Sequence, residues 1–245
     1  MSESAQDIEF SLAVLCYGAG EEAIPFVEQL HAMMSLLSLP WEIVLVGNYW
    51  PGAEDPTPAV VAALAARLPN VRSIAREKAG GMGWDMRAGF AACRGRYLGV
   101  TDGDGQFPLD STLACFARLR MGHCDLVKTY RVVRYDGFYR RLISAVYNRL
   151  FRLLFPRYRG HDVNSKPKIL TRAAYQRLDL GADGWFIDAE IVLRCLDLGM
   201  TMSEIPTEFS ALERRPSFVR IAALGEFLRD LLAYRFSARH RAAHR

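Results

Sequence analysis

The sequence has 245 residues, of which 51% are apolar and 24% charged, so a disordered or fibrous protein is excluded. The formal net charge is only +4, from 31 Lys and Arg against 27 Asp and Glu. The bases are concentrated in two blocks, residues 128–159 and 211–245, in which Arg and Lys far outnumber acids. Such blocks indicate a polyanionic partner (a phosphorylated substrate, an anionic membrane or nucleic acid), although a solvated Arg-rich surface is the alternative.

The first half of the chain alternates short apolar runs with helical patterns. Strands are predicted over 10–17, 41–46, 71–75 and 96–101, with helices over 21–39, 58–68 and 84–93 between them. Near-continuous apolar strands joined by helices predict a parallel sheet with helices on both faces. Ligands of such sheets bind beyond the carboxyl ends of the strands, so we expect the site there.

The second half continues with helices over 110–121, 138–155, 185–198 and 218–236, and strands over 124–129 and 201–206. In the helix 138–155 the pattern predicts one apolar face and one polar face. The predicted apolar face carries Ile143, Val146, Leu150, Leu153 and Leu154, and the predicted polar face carries Arg141, Ser144, Asn148 and Arg152. An apolar stripe flanked by Arg suits a helix at an anionic membrane surface, and equally a helix that packs on the protein core.

Two short motifs carry the chemistry that local sequence can indicate. Asp102-Gly103-Asp104-Gly105-Gln106 follows the fourth strand and sets two carboxylates and an amide oxygen in one turn. Oxygen ligands of this kind suit Mg²⁺ or Mn²⁺, which would offset the charge of a diphosphate. A second, glycine-rich turn over 81–89 opens a helix, and its backbone N–H groups could face a phosphate or a sugar.

The ordered series of motifs resembles family 2 glycosyltransferases of the GT-A fold, and most of all the polyprenyl-phosphate glycosyltransferases. The resemblance begins at Leu15-Cys16-Tyr17 and Arg87-Ala88-Gly89-Phe90, and it includes the D-x-D-x-Q turn. Further along, Asp162-Val163-Asn164-Ser165, Asp188-Ala189-Glu190 and Arg214-Arg215 stand where the family has its later motifs. It implies an α/β GT-A domain with a mostly parallel sheet, helices on both faces and a C-terminal amphipathic helix.

The resemblance also implies a division of the single domain 1–245 into three parts. Residues 8–127 would form the nucleotide-sugar-binding half, 128–212 the acceptor-binding half, and 213–245 a basic amphipathic helix and tail. The reaction implied is inverting transfer of a sugar from a nucleotide-diphosphate sugar, with Mg²⁺ or Mn²⁺, to a polyprenyl phosphate or another phosphorylated acceptor. Peripheral membrane contact would follow from a lipid acceptor, and no nucleic-acid partner is expected because no aromatic-interleaved basic motif is present.

Site residues are assigned from the same resemblance. The metal ligands would be Asp102, Asp104 and Gln106. The nucleotide sugar would meet Tyr17, Glu21, Glu22, Asn48, Gly83, Arg87, Asp102 and Gly103. The acceptor phosphate would meet Arg131, Arg140, Arg141, Ser144, Arg214 and Arg215. The catalytic set would be Asp104, Arg131, Asp188 and Glu190, with the last two either a general base, needed for a hydroxyl acceptor, or a pair that orients an Arg.

Several positions depart from the family pattern. Gly47-Asn48 replaces a pair of Asp, and Lys166-Pro167 replaces Gly-Phe. Two alternatives therefore stay open: a GT-A glycosyltransferase that uses a hydroxyl acceptor, and a degenerate, non-catalytic nucleotide-sugar-binding module.

The remaining features concern location and redox state. Five Cys lack metal-ligand or disulfide spacing, and all but Cys124 lie in apolar runs, so buried thiols are expected. Neither a leader-like segment nor an apolar run of membrane-spanning length is visible. The protein is therefore expected to be cytoplasmic, and peripheral attachment to the inner face of a membrane stays open.

Overall fold

The computed structural model describes residues 7–134, 138–210 and 221–237, with the side chains of 134, 138–141 and 221–224 outside that description. The strands are β1 Phe10–Leu15, β2 Trp41–Val46, β3 Val71–Ile74, β4 Tyr97–Asp102, β5 Leu126–Arg134, β6 Lys168–Thr171 and β7 Met202–Phe209. The helices are α1 Ala23–Met34, α2 Thr57–Arg67, α3 Met82–Ala92, α4 Leu109–Arg120, α5 Phe138–Leu154, α6 Arg172–Leu178, α7 Ile187–Asp197 and α8 Ile221–Arg235. A short 3-10 turn, Gly20–Glu22, precedes α1.

The seven strands form one sheet in the order β3-β2-β1-β4-β6-β5-β7. Neighbouring strands are parallel except at β6, which runs antiparallel to both β4 and β5. The mostly parallel α/β sheet expected from the sequence is confirmed. The sequence patterns did not predict β6 or α6, because the Lys-Pro-Lys segment that leads into β6 is typical of a turn.

Apolar side chains cover both faces of the sheet. One layer includes Phe10, Leu12, Ile43 and Phe116, and the other includes Val44, Met86, Phe90 and Leu170. The alternation of β1 and β2 side chains between the layers explains why these strands are apolar throughout. Cys16, Cys93, Cys115 and Cys195 are buried free thiols and Cys124 is partly buried, as expected.

The orientation of α5 differs from the sequence prediction. Tyr147, Asn148, Phe151 and Phe155 face inward. Of the predicted apolar face, Val146 and Leu153 are exposed, and Ile143, Leu150 and Leu154 are only partly buried. The inward aromatic side chains pack on α7 and α8, for example Tyr147 against Phe227 with ring centroids 4.4 Å apart. Asn148 is buried because its amide donates to the Ser144 carbonyl (3.0 Å) and accepts from the Val163 N–H (3.2 Å).

The sheet register brings the predicted site together. Leu15 at the end of β1 lies beside Val46 of β2 on one side and Asp102 of β4 on the other. The segments that follow these strands therefore meet at one edge of the sheet. Within the described part of the chain, no helix has both the length and the apolar character needed to cross a membrane.

Candidate functional site

The D-x-D-x-Q turn is fixed to the end of β1 and to the end of β7. The Gly103 N–H donates to the Leu15 carbonyl (2.9 Å), and an added Cβ on Gly103 would lie 3.1 Å from that oxygen, so a side chain fits poorly there. The Gln106 N–H donates to the Asp104 carboxylate (3.1 Å), and the Gln106 side-chain amide donates to the Ser210 carbonyl (2.9 Å). These bonds hold Asp102, Asp104 and Gln106 in one short turn.

The side chains of this turn suit a hard divalent cation. Asp102 and Asp104 are both partly exposed, and the amide oxygen of Gln106 stands two residues beyond them. Among the described residues there is no group of three or more His, Cys, Asp and Glu placed to hold a metal. Mg²⁺ and Mn²⁺ commonly bind to one or two carboxylates and complete their shell with water and substrate phosphates, so this turn fits such an ion.

Two buried lysines, Lys166 and Lys168, lie on the protein side of the D-x-D-x-Q turn. The ammonium group of Lys166 lies 3.2 Å from Asp102 Oδ1 and 3.3 Å from Asp188 Oδ2, and Lys166 is 3% exposed. Lys168 is fully buried and pairs with the other oxygen of Asp188, while it also donates to the Ser165 carbonyl (2.8 Å). Asp188, at the first turn of α7, is thus held by two ammonium groups.

The charges of Lys166 and Lys168 determine the protonation state of Asp188. Burial alone would raise the pKa of Asp188, but the ammonium groups of Lys166 and Lys168 outweigh burial and hold the pKa below its usual range. Burial lowers the pKa of Lys168 to about 8, against the opposing attraction of Asp188. Asp188 is therefore a paired carboxylate of low basicity, which disfavours it as a general base.

Glu190 contacts a different part of the molecule. Its buried carboxylate accepts from the backbone N–H groups of Gly181 (3.0 and 3.1 Å) and Ala182 (2.8 Å). The same loop, 181–184, meets the start of α3, where the N–H groups of Gly83 and Trp84 donate to carbonyls of Gly184 and Asp183 (both 3.1 Å). Glu190 thus fixes a loop that supports the glycine-rich turn.

The glycine-rich turn itself packs against protein. A Cβ on Gly83 would collide with the carbonyl oxygen of Gly184, which explains the glycine by close approach of backbone. The Arg87 guanidinium pairs with Asp183. The N–H groups of Gly83 and Trp84 are occupied by carbonyls, which differs from the expectation that backbone N–H groups here face a phosphate.

A polar cluster closes the ends of β1, β2 and β3. Asn48 is fully buried: its amide donates to Asp85 (2.9 Å) and accepts from the Arg76 N–H (2.9 Å), so it joins β2 to α3. Asp85 also pairs with buried Lys78, whose ammonium lies 4.1 Å from the centre of the Tyr17 ring. Burial raises the pKa of Asp85, with the Lys78 and Asn48 bonds opposing. Asn48 therefore acts inside the fold, and Asp85 and Lys78 link it to the ring of Tyr17.

Glu21 and Glu22 lie in the 3-10 turn that follows Tyr17 in the chain, and both are exposed. The turn is anchored by the Gly20 N–H, which donates to the Thr57 hydroxyl (2.9 Å). The two carboxylates therefore stand at the rim of the same edge of the sheet.

The acceptor-side residues begin on β5. The Arg131 guanidinium makes two bonds to the Asp162 carboxylate (2.6 and 2.9 Å) and lies 5.1 Å from the centre of the Phe209 ring. Lys128, on the same strand, is buried and pairs with Glu204 of β7 (2.5 Å). Arg131 is thus held in a fixed orientation at the edge of the sheet.

The remaining predicted acceptor residues are only partly described. Ser144 is half-buried, one helical turn before Asn148 on α5, and its carbonyl accepts from the Asn148 amide. Arg140 and Arg141 lie in the first turn of α5, with side chains outside the description. Arg214 and Arg215 lie outside the described residues.

Sequence reasoning did not assign Lys78, Asp85, Lys166 or Lys168 to the site. A buried lysine leaves little local signal, because a Lys in a turn is usually exposed. Two signals were available: Lys168 stands at the Lys of the family motif that begins at Asp162, and Lys166-Pro167 departs from that motif with a cation where the family has glycine.

Comparisons with known proteins agree with this architecture. The family model described as glycosyl transferase family 2 matches residues 11–178. A dodecaprenyl-phosphate galacturonate synthase of Rhizobium johnstonii is 27% identical over 145 residues. That match covers 59% of this chain and 42% of the relative, so the chain corresponds to less than half of that protein.

Solved structures of similar fold include glucosyl-3-phosphoglycerate synthase from Mycobacterium tuberculosis. Its complex with Mn²⁺, UDP and phosphoglyceric acid has a TM-score of 0.69 at 18% identity, covering 97% of this chain and 79% of that one. A complex of the same enzyme with Mg²⁺ and UDP has a TM-score of 0.65 at 16% identity, covering 95% and 80%. At such identities the likeness shows the fold alone.

Proposed function

The chain belongs to glycosyl transferase family 2, and from this premise we propose that it transfers a sugar from a nucleotide-diphosphate sugar to a phosphorylated acceptor, with inversion. The observation that carries the proposal is the position of Asp102 and Asp104 at the carboxyl end of β4, beside the end of β1. That edge is where doubly wound sheets bind nucleotides. Tyr17 and the Lys78–Asp85 pair, at the ends of the adjoining strands, would border the base and ribose of the sugar donor.

We propose that a divalent metal, Mg²⁺ or Mn²⁺, binds to Asp102, Asp104 and Gln106 together with the diphosphate. A bound metal would offset the negative charge that develops on the leaving nucleoside diphosphate. The chain's own part is to hold the two carboxylates in place through the bonds of Gly103 and Gln106. The M. tuberculosis enzyme, with the same fold, has been crystallised with Mn²⁺ or Mg²⁺ and UDP, which supports this assignment.

A phosphorylated acceptor, and most of all a polyprenyl phosphate, agrees best with the contacts of Asp188 and Glu190, which leave neither carboxylate available as a general base. A phosphate oxygen attacks the anomeric carbon as an anion while the bond to the diphosphate breaks, so it needs no general base. A hydroxyl acceptor would need one. Asp188 is held by two lysines and Glu190 by two backbone N–H groups, so both are engaged in the fold. The galacturonate synthase similar to this chain is named for a dodecaprenyl phosphate, which supports the lipid acceptor.

Arg131 is the described cation that we place at the acceptor phosphate. Asp162 fixes the plane of its guanidinium, so the phosphate would meet an oriented group and little side-chain freedom would be lost. We propose that Arg140, Arg141, Arg214 and Arg215, from the two basic blocks of the sequence, add to the same electrostatic field.

Peripheral membrane contact belongs to this proposal, because a polyprenyl acceptor resides in a lipid bilayer. Leu142, Val146 and Leu153 of α5 are 49%, 59% and 71% exposed, and their spacing places them on one outward stripe. Arg149 and Arg152 are exposed on the same helix. An exposed apolar stripe with neighbouring Arg suits the surface of an anionic membrane.

Binding of the sugar donor provides the first test. Thermal shifts are measured with UDP- and GDP-sugars, each with Mn²⁺ and with EDTA, for the wild type and for Asp104→Asn. We expect one nucleotide sugar to raise Tm with Mn²⁺ present, and the substitution to remove most of this effect. If neither the wild type nor Asp104→Asn responds to any nucleotide sugar, the proposal is contradicted.

A further inference from the structure

Lys166 stands out because it shares a carboxylate with the proposed metal turn. Its ammonium group lies between Asp102 and Asp188, at 3.2 and 3.3 Å, and touches the sulfur of Met82 at 3.5 Å. The side chain of Lys166 is 4% exposed, whereas that of Asp102 is 27% exposed. Lys166 therefore approaches Asp102 from the protein side, and the accessible part of Asp102 is left to a ligand.

We propose that Lys166 is a positioning residue that gives the diphosphate site a permanent positive charge, so that donor binding depends less on the divalent metal. The proposal rests on the proposed function of the same turn. Lys166 comes from a segment that departs from the family pattern, which has Gly at this position.

Two opposite effects follow from one ammonium group. A divalent cation that binds to Asp102 meets a carboxylate already partly neutralised, and it is also repelled by the nearby charge. A diphosphate, in contrast, is repelled less by Asp102 and Asp104 when the ammonium group of Lys166 offsets part of the negative charge of these carboxylates. Lys166 should therefore weaken metal binding and strengthen metal-free binding of the nucleotide.

Lys168 allows Lys166 to be replaced without leaving Asp188 unpaired. Asp188 keeps its bond to Lys168, and Asp102 is partly open to water. Lys166→Met removes the charge and keeps an unbranched side chain of similar length, so we expect the variant to fold. Lys166→Gln serves as the second variant if the methionine form proves insoluble.

The test measures two affinities of the intact chain. Free Mn²⁺ is titrated by electron paramagnetic resonance, and binding of UDP and GDP is measured by calorimetry in EDTA. For Lys166→Met we expect Mn²⁺ to bind about tenfold tighter and the nucleotide to bind about tenfold weaker in EDTA. A merely structural lesion would weaken both, so opposite signs identify the role of the charge.

Lys128→Met is the matched control, because Lys128 is equally buried and pairs with Glu204 instead of Asp102. We expect it to leave the Mn²⁺ affinity unchanged. Unchanged or weaker Mn²⁺ binding by the Lys166 variants would overturn the inference, as would unchanged nucleotide binding in EDTA. If neither UDP nor GDP binds to the wild type with or without Mn²⁺, the proposed function fails, and the Mn²⁺ titration alone decides the role of Lys166.

Discussion

Replacement of Glu190 distinguishes a catalytic base from a residue that holds a loop. The carboxylate is buried and accepts from the N–H groups of Gly181 and Ala182 at 2.8–3.1 Å. A hydrogen bond to a charged group contributes about 1.5–3 kcal/mol. Gly181 is exposed and can recover a water partner, whereas Ala182 is partly buried. We therefore expect Glu190→Ala to lower the free energy of unfolding by about 2 kcal/mol.

For a chain of this size that loss corresponds to a fall in Tm of about 4–8 °C. Glu190→Gln keeps one acceptor oxygen but turns an NH₂ group toward a backbone N–H, so about half that loss is expected. The measurements are urea unfolding and initial rates of transfer from the nucleotide sugar that binds. We expect Glu190→Gln to keep kcat within about threefold, since loss of a general base typically costs 10²–10⁴-fold.

A fall in kcat of about 100-fold or more for Glu190→Gln, with Tm at the wild-type value, would identify Glu190 as a base and contradict its role in holding the loop. Glu208→Gln is the control. Glu208 is an exposed carboxylate on β7, and its replacement should leave both Tm and kcat unchanged.

Three further outcomes are expected. Arg131→Ala should raise KM for a lipid-phosphate acceptor about tenfold or more and leave nucleotide affinity nearly unchanged; equal effects on both would count against its place at the acceptor. Val146→Asp should reduce sedimentation with anionic phosphatidylglycerol vesicles, whereas Leu36→Asp, at an even more exposed leucine after α1, should not. Retention of vesicle binding by Val146→Asp would exclude α5 as the contact. Burial would raise the pKa of Glu204, but its contacts with Lys128 and His161 outweigh burial and hold the pKa below its usual value. The ionised Glu204 carboxylate therefore stabilises the fold above about pH 4.5, and this contribution is lost as pH falls through the lowered pKa. Glu204→Gln should flatten the loss of unfolding free energy between about pH 5 and 3, and an unchanged slope in urea titrations would contradict this.

The sequence by itself determined those features that depend on neighbouring residues. Apolar runs and turn residues located β1 to β4, and the position of Asp102 directly after a buried strand placed it at the carboxyl edge of the sheet. One bond of the D-x-D-x-Q turn is equally local, since the Gln106 N–H donates to the Asp104 carboxylate two residues before it. The bonds of Gly103 to Leu15 and of the Gln106 side chain to Ser210 depend on distant parts of the chain. Burial of four of the five cysteines also followed from their apolar surroundings.

Periodicity could not decide which side of α5 is covered. The helix carries apolar side chains on two sides, and the inner one is chosen by Phe151 and Phe155, which fit the aromatic cluster of α7 and α8. Val146 and Leu153 are left exposed, while Asn148 is buried because the Val163 N–H meets it. That choice depends on the shape of a surface built from distant parts of the chain.

The partners of the charged site residues were likewise decided only by tertiary structure. Lys166 reaches Asp102 across 64 positions of sequence, and Asn48 reaches Asp85 across 37. Asn48 and Asp85 meet because parallel strands end at one edge and bring their following segments together. Lys166 instead precedes β6, which begins at that edge because it runs antiparallel to β4. The sequence motif specified which carboxylates are present at that edge, and the packing of β6 and α7 beside β4 decided that a buried ammonium group would share one of them.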